Sequence, residues 1–203
     1  MPRKNRAYKK GEPFRDASLY VIVAEGKRED EYFRFFQGKT SRLRIKIVPR
    51  EEGSSSPKQF LGRLQDFQQE LGWSSKERDQ TWFVLDVDRW PRIAIEELRQ
   101  TCVQFSNWHI AISNPCFEVW LLFHLHKELE PVANISSKEV KGLLHQSVEG
   151  GYKVEEFAID IKEACSNAEY ADRKSKHYYP GLMITKVYKL GQAIIHLLGE
   201  NWR

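Results

Sequence analysis

Two short runs dominate the sequence: Leu-Tyr-Val-Ile-Val-Ala-Glu at residues 19–25 and Thr-Trp-Phe-Val-Leu-Asp-Val-Asp at residues 81–88. Each stays apolar and then turns abruptly acidic. Neither alternates polar with apolar residues, as a strand with one wet face must, so both are expected to be buried on both faces. Strands of that kind sit inside parallel sheets covered by helices, which places this chain in the α/β class.

The segments between them supply the helices. Residues 27–38 put Tyr32, Phe33 and Phe36 on one helical face before Gly38, a suitable C-terminal stop. Residues 43–48 alternate Leu43, Ile45 and Ile47 with Arg44 and Lys46, the pattern of a half-exposed strand near a sheet edge. Pro57 then suits the first turn of a helix striped by Phe60, Leu61, Leu64, Phe67 and Leu71. A further helix is expected after Pro91, and a strand at 108–113. The resulting order, βαβαβαβ, calls for a three-layer sandwich with right-handed crossovers.

After Asn114-Pro115 the pattern changes. Residues 116–129 have helical length and are nearly all apolar on two sides, and no later segment makes an equally strong strand. The remainder reads as helical. Residues 136–146 open with a Ser cap and Glu139 at capping-box spacing, and 154–168 and 185–199 carry helical periodicity. Three parts are therefore expected: a basic arm (1–17), an α/β core (18–126) and a helical C-terminal elaboration (127–203).

Of the 203 residues 41% are hydrophobic, and six Trp, eight Tyr and eleven Phe supply enough apolar surface for one core, which excludes wholesale disorder. No apolar run approaches the roughly 18–20 residues of a membrane span, and the first residues lack the apolar stretch of a signal peptide. A soluble, cytoplasmic protein with no membrane partner is expected. Cys102, Cys116 and Cys165 are odd in number and share no CxxC spacing, so buried thiols are expected rather than disulfides or zinc. The net charge of +4 conceals an asymmetry: residues 1–15 carry six basic side chains against Glu12 alone. Such an arm suits a tether to nucleic acid and, equally, a solvated tail.

In parallel α/β sheets, ligands gather beyond the carboxyl ends of the strands. Glu25 closes the first apolar run, and Asp86 and Asp88 close the third strand. Strand period puts Asp86 and Asp88 on one side of the backbone. Carboxylates crowded together repel unless a cation or proton compensates, so an oxygen-ligated Mg²⁺, with Mn²⁺ as a substitute, is their natural complement. A DxD alone is weak, because acids after strands also serve turns and helix caps. Two acidic strand ends in a matching βαβ order raise the metal reading above that.

Glu29 follows Glu25 by four residues and can face the strand ends, whereas Asp30 and Glu31 suit an exposed first turn. Glu118 sits in a strongly apolar helix, where a carboxylate needs a partner or a purpose. Lys27, Arg28 and Arg89, beside these acids, are read as nucleic-acid contacts. So are Arg173, Lys174, Lys176 and His177, in a segment that also offers Tyr178 and Tyr179 for base stacking; an ordinary solvated loop fits that segment as well. The loop at Gly53–Ser56 carries only a weak phosphate-binding pattern. The remaining histidines form no ligand set. No GxSxG elbow supports covalent catalysis.

The segments YVIVAEGKREDEYF, FVLDVDR, ISNPCFEVWLLFH and TKVYKLGQAI together resemble the RloB-like family, associated with abortive infection and restriction-linked loci. The likeness runs from about residue 18 to the C-terminus. It implies a Toprim-like, Rossmannoid fold, the catalytic module shared by topoisomerases, primases and OLD-type nucleases. By that resemblance Glu25 is the strand-end glutamate, Asp86 and Asp88 form the metal-binding DxD, Glu29 matches the second acid of an EGxxE pattern, and Glu118 belongs to the NPCFE segment. Arg89 departs from many Toprim proteins after DxD, leaving metal number and reaction open.

The function implied is an Mg²⁺-dependent endonuclease cutting RNA, tRNA included, or DNA in anti-phage defence, alongside an ATPase encoded nearby and with self-association left open. The rival is a non-catalytic nucleic-acid or nucleotide sensor. A haloacid-dehalogenase phosphatase is disfavoured by Trp90 and Pro91, where that family needs Thr or Val after its DxD. Nothing marks the sugar site a glycosyltransferase would need.

Overall fold

The structure, a computed structural model, describes residues 17–50, 56–72, 76–130, 132–175, 177–199 and 202. The basic arm up to residue 16, the loop residues Gly53, Ser54 and Ser55, and Lys176 lie outside the described residues.

Strand β1 (Ser18–Ala24) leads into helix α1 (Lys27–Arg34), and β2 (Leu43–Ile47) into α2 (Pro57–Leu71). Strand β3 (Gln80–Asp86) is followed by α3 (Arg92–Cys102), β4 (Trp108–Asn114) and the short α4 (Glu118–Leu122). Helices α5 (Ser137–Ser147), α6 (Val154–Ala158) and α7 (Ile161–Asp172), strand β5 (Ile184–Thr185) and helix α8 (Tyr188–Leu198) complete the chain. The strands form one sheet in the order β2-β1-β3-β4-β5, parallel throughout except for the antiparallel β4–β5 pair. The expected mostly parallel α/β sheet flanked by helices, with further helices toward the C-terminus, is the fold observed.

Every residue of β1 is buried, as its unbroken apolar run requires. Its period of two sorts the side chains onto opposite faces. Tyr20, Ile22 and Ala24 join Trp82 and Val84 in a core covered by α1, α4, α7 and α8. Leu19, Val21 and Val23 join Phe83 and Leu85 in a second core under α2 and α3. Each large side chain buried there contributes about 1.5–3 kcal/mol. At the sheet edge, β2 buries Leu43 and Ile45 and exposes Arg44 and Lys46, as its alternation predicts.

Helix boundaries follow local chemistry. Ser56 and Gln59 form a reciprocal capping box, with Pro57 in the first turn, and Gly72 ends α2 in the left-handed region at φ +54°. Ser136 and Glu139 cap α5 in the same way. All three cysteines are buried and unbridged.

Three elements differ from the sequence-based expectation. The apolar run 116–129 makes a helix of only five residues, because the Phe123 carbonyl accepts from Asn167 Nδ2 at 2.9 Å and Trp120's engages the His124 ring. Residues 154–168 break into α6 and α7 at Asp160, which leaves helical geometry at φ −95°, ψ 25°. The C-terminal part is not wholly helical. Ile184–Thr185 adds a strand too short to show a period, held by the pairing Ser113↔Thr185 and a 2.8 Å bond between those two hydroxyls.

Candidate active site

The register Ala24↔Val84 and Asp86↔Ser113 brings the carboxyl ends of β1, β3 and β4 level. Glu25, one residue past β1, is 5% exposed. Its Oε2 accepts from the Asp86 backbone N–H at 3.1 Å and from the Trp90 indole N–H at 2.9 Å. Arg89 Nε stands 3.8 Å from Oε1, and Arg50 Nη1 donates to the Glu25 carbonyl at 2.8 Å. The first strand end is thus tied directly to the third.

Asp88 lies beyond β3, so strand period does not pair it with Asp86 as the sequence reading expected. The turn does so instead: the Pro115 carbonyl accepts from the Val87 and Asp88 N–H groups at 3.1 and 3.2 Å. The Ser137 hydroxyl donates to Asp88 Oδ2, so α5 also holds this carboxylate. One carboxylate oxygen from each of Glu25, Asp86 and Asp88 lies within 4.8 Å of the others. The donor set is wholly oxygen and anionic, which fits Mg²⁺ or Mn²⁺ and not a soft metal.

Two more acids face the same space. Glu29, in the first turn of α1, is 4% exposed, and Glu118, at the start of α4, is 5% exposed. The glycine at position 26 lets this turn close up, since a Cβ there would collide with the Glu29 carboxylate. Glu118 is paired with Arg28, Nη1 to Oε1 at 2.6 Å, and the Arg28 guanidinium lies 5.4 Å from the Tyr152 ring centre.

Crowding and burial show in the titration of these groups. Burial, reinforced by Glu118 and Glu25, pushes the Glu29 carboxyl up to about 7. Asp86 is raised well above the usual carboxylate range, first by burial and then by Glu29, Glu25 and Glu118. Burial also raises Glu25, opposed by the bonds from Asp86 N–H and Trp90 and by the Arg89 charge. A site that disfavours its own ionised form gains most from a cation.

Around these acids is a cleft of about 420 Å³ that also includes Lys27, Arg28, Arg89 and Lys141. The structure therefore brings Glu25, Glu29, Asp86, Glu118, Lys27, Arg28 and Arg89 to one cleft, with Asp88 beside Glu25 and Asp86. The described residues of the later basic segment do not line this cleft. Arg173 stacks on Tyr170 at 3.5 Å, Lys174 is exposed, and His177 lines a second cleft against α3. Lys141, Ser137, Trp90 and Arg50 went unread as site residues. Trp90 directly follows the DxD-Arg run, whereas nothing in spacing marks the other three.

Fold and site together define a class: a mixed α/β protein whose mostly parallel sheet gathers carboxylates able to hold a metal at its carboxyl edge. Within that class the family is specific. A model of RloB-like proteins matches residues 20–194, and the chain belongs to the RloB-like family. No curated protein and no solved structure matches it. Among the described residues no helix is long and apolar enough to cross a membrane.

Proposed function

We propose that the protein is a metal-dependent nuclease with a Toprim-like catalytic module, hydrolysing phosphodiesters of RNA, tRNA included, or DNA. The observation that carries this reading is the convergence of Glu25, Asp86 and Asp88 within 4.8 Å, at a cleft lined by Glu25, Asp86 and further acids and bases. The role in anti-phage defence and an ATPase partner rest on the family resemblance.

A bound Mg²⁺ would neutralise phosphate charge and lower the pKa of a water molecule. The chain's own residues do the rest. Glu25, held by Trp90 and the Asp86 N–H, is pre-positioned, so no rotamer has to be ordered during reaction. Arg89, Lys27 and Lys141 offer cations to the phosphodiester. Glu29, raised to about 7, is poised to exchange a proton near neutral pH as water adds to phosphorus and the sugar oxygen leaves.

The test is direct. Purified protein is incubated with total RNA or plasmid DNA and Mg²⁺ or Mn²⁺, beside Glu25→Gln and Asp86→Asn/Asp88→Asn variants. Cleavage by the native chain and its loss in both variants is expected. Cleavage that survives the substitutions refutes the site, and metal-independent binding without cleavage favours a sensor.

A further inference from the structure

The basic aromatic segment that stays away from the acidic cleft builds a cleft of its own. Its volume is about 760 Å³, and it is lined by Arg92, Ile93, Glu96 and Arg99 of α3 with His177 and Tyr178. That volume is within the range of small-ligand sites, about 300–1,000 Å³. We propose that this second cleft binds an unpaired nucleotide, its phosphates on Arg92 and Arg99 and its base against the His177–Tyr178 rings. Its role as the continuation of a substrate strand rests on the nuclease reading above; the binding itself does not.

The two clefts share one edge of the sheet. Asn114, the last residue of β4, donates from Nδ2 to the Pro180 carbonyl at 3.0 Å, which fixes the Tyr178–Pro180 segment at the carboxyl edge where Asp86 ends β3. Arg92 follows Asp88 by four residues, so their Cα atoms are at most about 14 Å apart. A strand with one phosphate at the acids therefore needs few further nucleotides to reach α3.

The arginines are prepared for phosphate. Arg92 lies 4.8 Å from the Tyr179 ring centre, and Arg99 lies 4.4 Å from that of Tyr178. A guanidinium over a ring keeps its charge, and its in-plane N–H groups can meet an anion; of those on Arg99, Nε already meets Glu96 Oε2 at 3.4 Å. Stacking also restricts the side chain in advance, so less entropy is lost on binding. Seven residues apart on one helix, the pair share a face and are separated by about 10 Å along the axis.

The remaining wall suits a base. His177 is exposed, and its ring lies 4.8 Å from that of Tyr178 at 31°, a tilted stack that can be extended by another planar group. Among the described residues Glu96 is the one acid lining this cleft, and it stands 3.4 Å from Arg99. Its other oxygen, Oε1, accepts from Gln100 Nε2 at 2.5 Å, and against Arg92 and Arg99 it leaves the described part of the wall net positive. A glutamate-rich peptide would satisfy the arginines and leave the rings without a use.

Binding is measured by fluorescence anisotropy in EDTA, so that no cleavage intervenes. The full chain is titrated with labelled 12-nucleotide oligouridylate, oligodeoxythymidylate, an abasic strand, a 12-base-pair duplex and a glutamate-rich peptide. We expect both single strands to bind more tightly than the duplex or the abasic strand, with RNA against DNA preference read from the first two. Arg92→Gln/Arg99→Gln should weaken single-strand binding tenfold or more and flatten the log K against log salt slope by about 1.4, two phosphates at about 0.7 each. Arg92→Lys/Arg99→Lys should restore the slope but not the affinity, and Tyr178→Leu should erase the preference over the abasic strand. Affinity within twofold of native and an unchanged slope in the Gln pair would overturn the proposal, as would tighter binding of the peptide. If the Gln pair melts below the assay temperature, native-like affinity in both the Lys pair and Tyr178→Leu overturns it. Absence of cleavage by the native chain in Mg²⁺ or Mn²⁺ is a separate result, which sinks the nuclease reading and leaves this one standing.

Discussion

Removing a negative charge from the acidic cleft should stabilise the metal-free protein, and Glu29→Gln shows this most cleanly. Glu29 is 4% exposed, and its carboxyl rises from an ordinary 4.5 to about 7 in the fold. A group whose folded pKa is raised binds more protons folded than unfolded between those values, so stability falls as pH rises through that window. The difference of two to three pH units corresponds to about 3 kcal/mol at about 1.4 kcal/mol per unit. Gln is uncharged at every pH and nearly isosteric with the protonated acid. Its stabilising effect should be close to zero at pH 4.5, grow through pH 5–7 and level off near 3 kcal/mol at pH 8. For a chain of this length 1 kcal/mol moves the melting temperature by about 2–4 °C, so a rise of roughly 6–12 °C is expected at pH 8. Thermal melts in EDTA across this pH range read the curve directly, and the same melts in millimolar Mn²⁺ should narrow the gap, because the cation neutralises the cluster. A Glu29→Gln protein that melts at or below the native temperature at pH 8 in EDTA would refute the claim that burial and the neighbouring acids disfavour the ionised Glu29 carboxylate.

Three further outcomes follow from particular contacts. Ser137→Ala frees Asp88 and should weaken Mn²⁺ binding about tenfold, the usual effect of losing a hydrogen bond to a metal ligand, while the melting temperature in EDTA stays within 2 °C; equal Mn²⁺ affinity would mean that Ser137 does not hold Asp88 for metal. The Asp172 carboxylate accepts from Lys186 Nζ at 2.7 and 2.5 Å and from the Tyr188 hydroxyl at 2.9 Å, all buried. Asp172→Ala leaves the Lys186 charge unpaired and should cost about 3–5 kcal/mol in urea unfolding, and a loss below 1 kcal/mol would contradict that burial. Burial lowers His124 from 6.5 to about 4, so the unfolded chain takes its proton first. Its contribution therefore declines as pH falls from 6.5 toward 4, by up to about 1.4 kcal/mol per unit; His124→Phe should be less acid-sensitive than the native chain over that range, and identical pH profiles would rule this out.

Much of the site was legible because parallel strands end in register. Once the runs at 19–24 and 81–85 are recognised as buried parallel strands, Glu25 and Asp86 must emerge at the same sheet edge. Glu29 follows from the helix that begins immediately after. Lys141 and Ser137 were not legible, because they reach the site from α5, whose docking depends on contacts across the core. The pairing of Asp86 with Asp88 does not follow from strand period, because β3 ends at Asp86 and a turn bonded to the Pro115 carbonyl places Asp88. The basic segment was legible only in part: among its described residues, His177 lines the second cleft. Sequence spacing did not show that Tyr178 and Tyr179 meet Arg99 and Arg92 of α3, because those contacts join segments remote in sequence.

From local sequence alone came the α/β class, the four parallel strands, the capped helices and the identity of the acids, because burial pattern, capping and strand ends depend on neighbours a few residues away. Only tertiary packing settled where α4 stops, that Ile184–Thr185 joins the sheet, which cations enter the acidic cleft and which surround the second cleft. Those outcomes depend on groups far apart in the chain, and no short-range period encodes which of them meet.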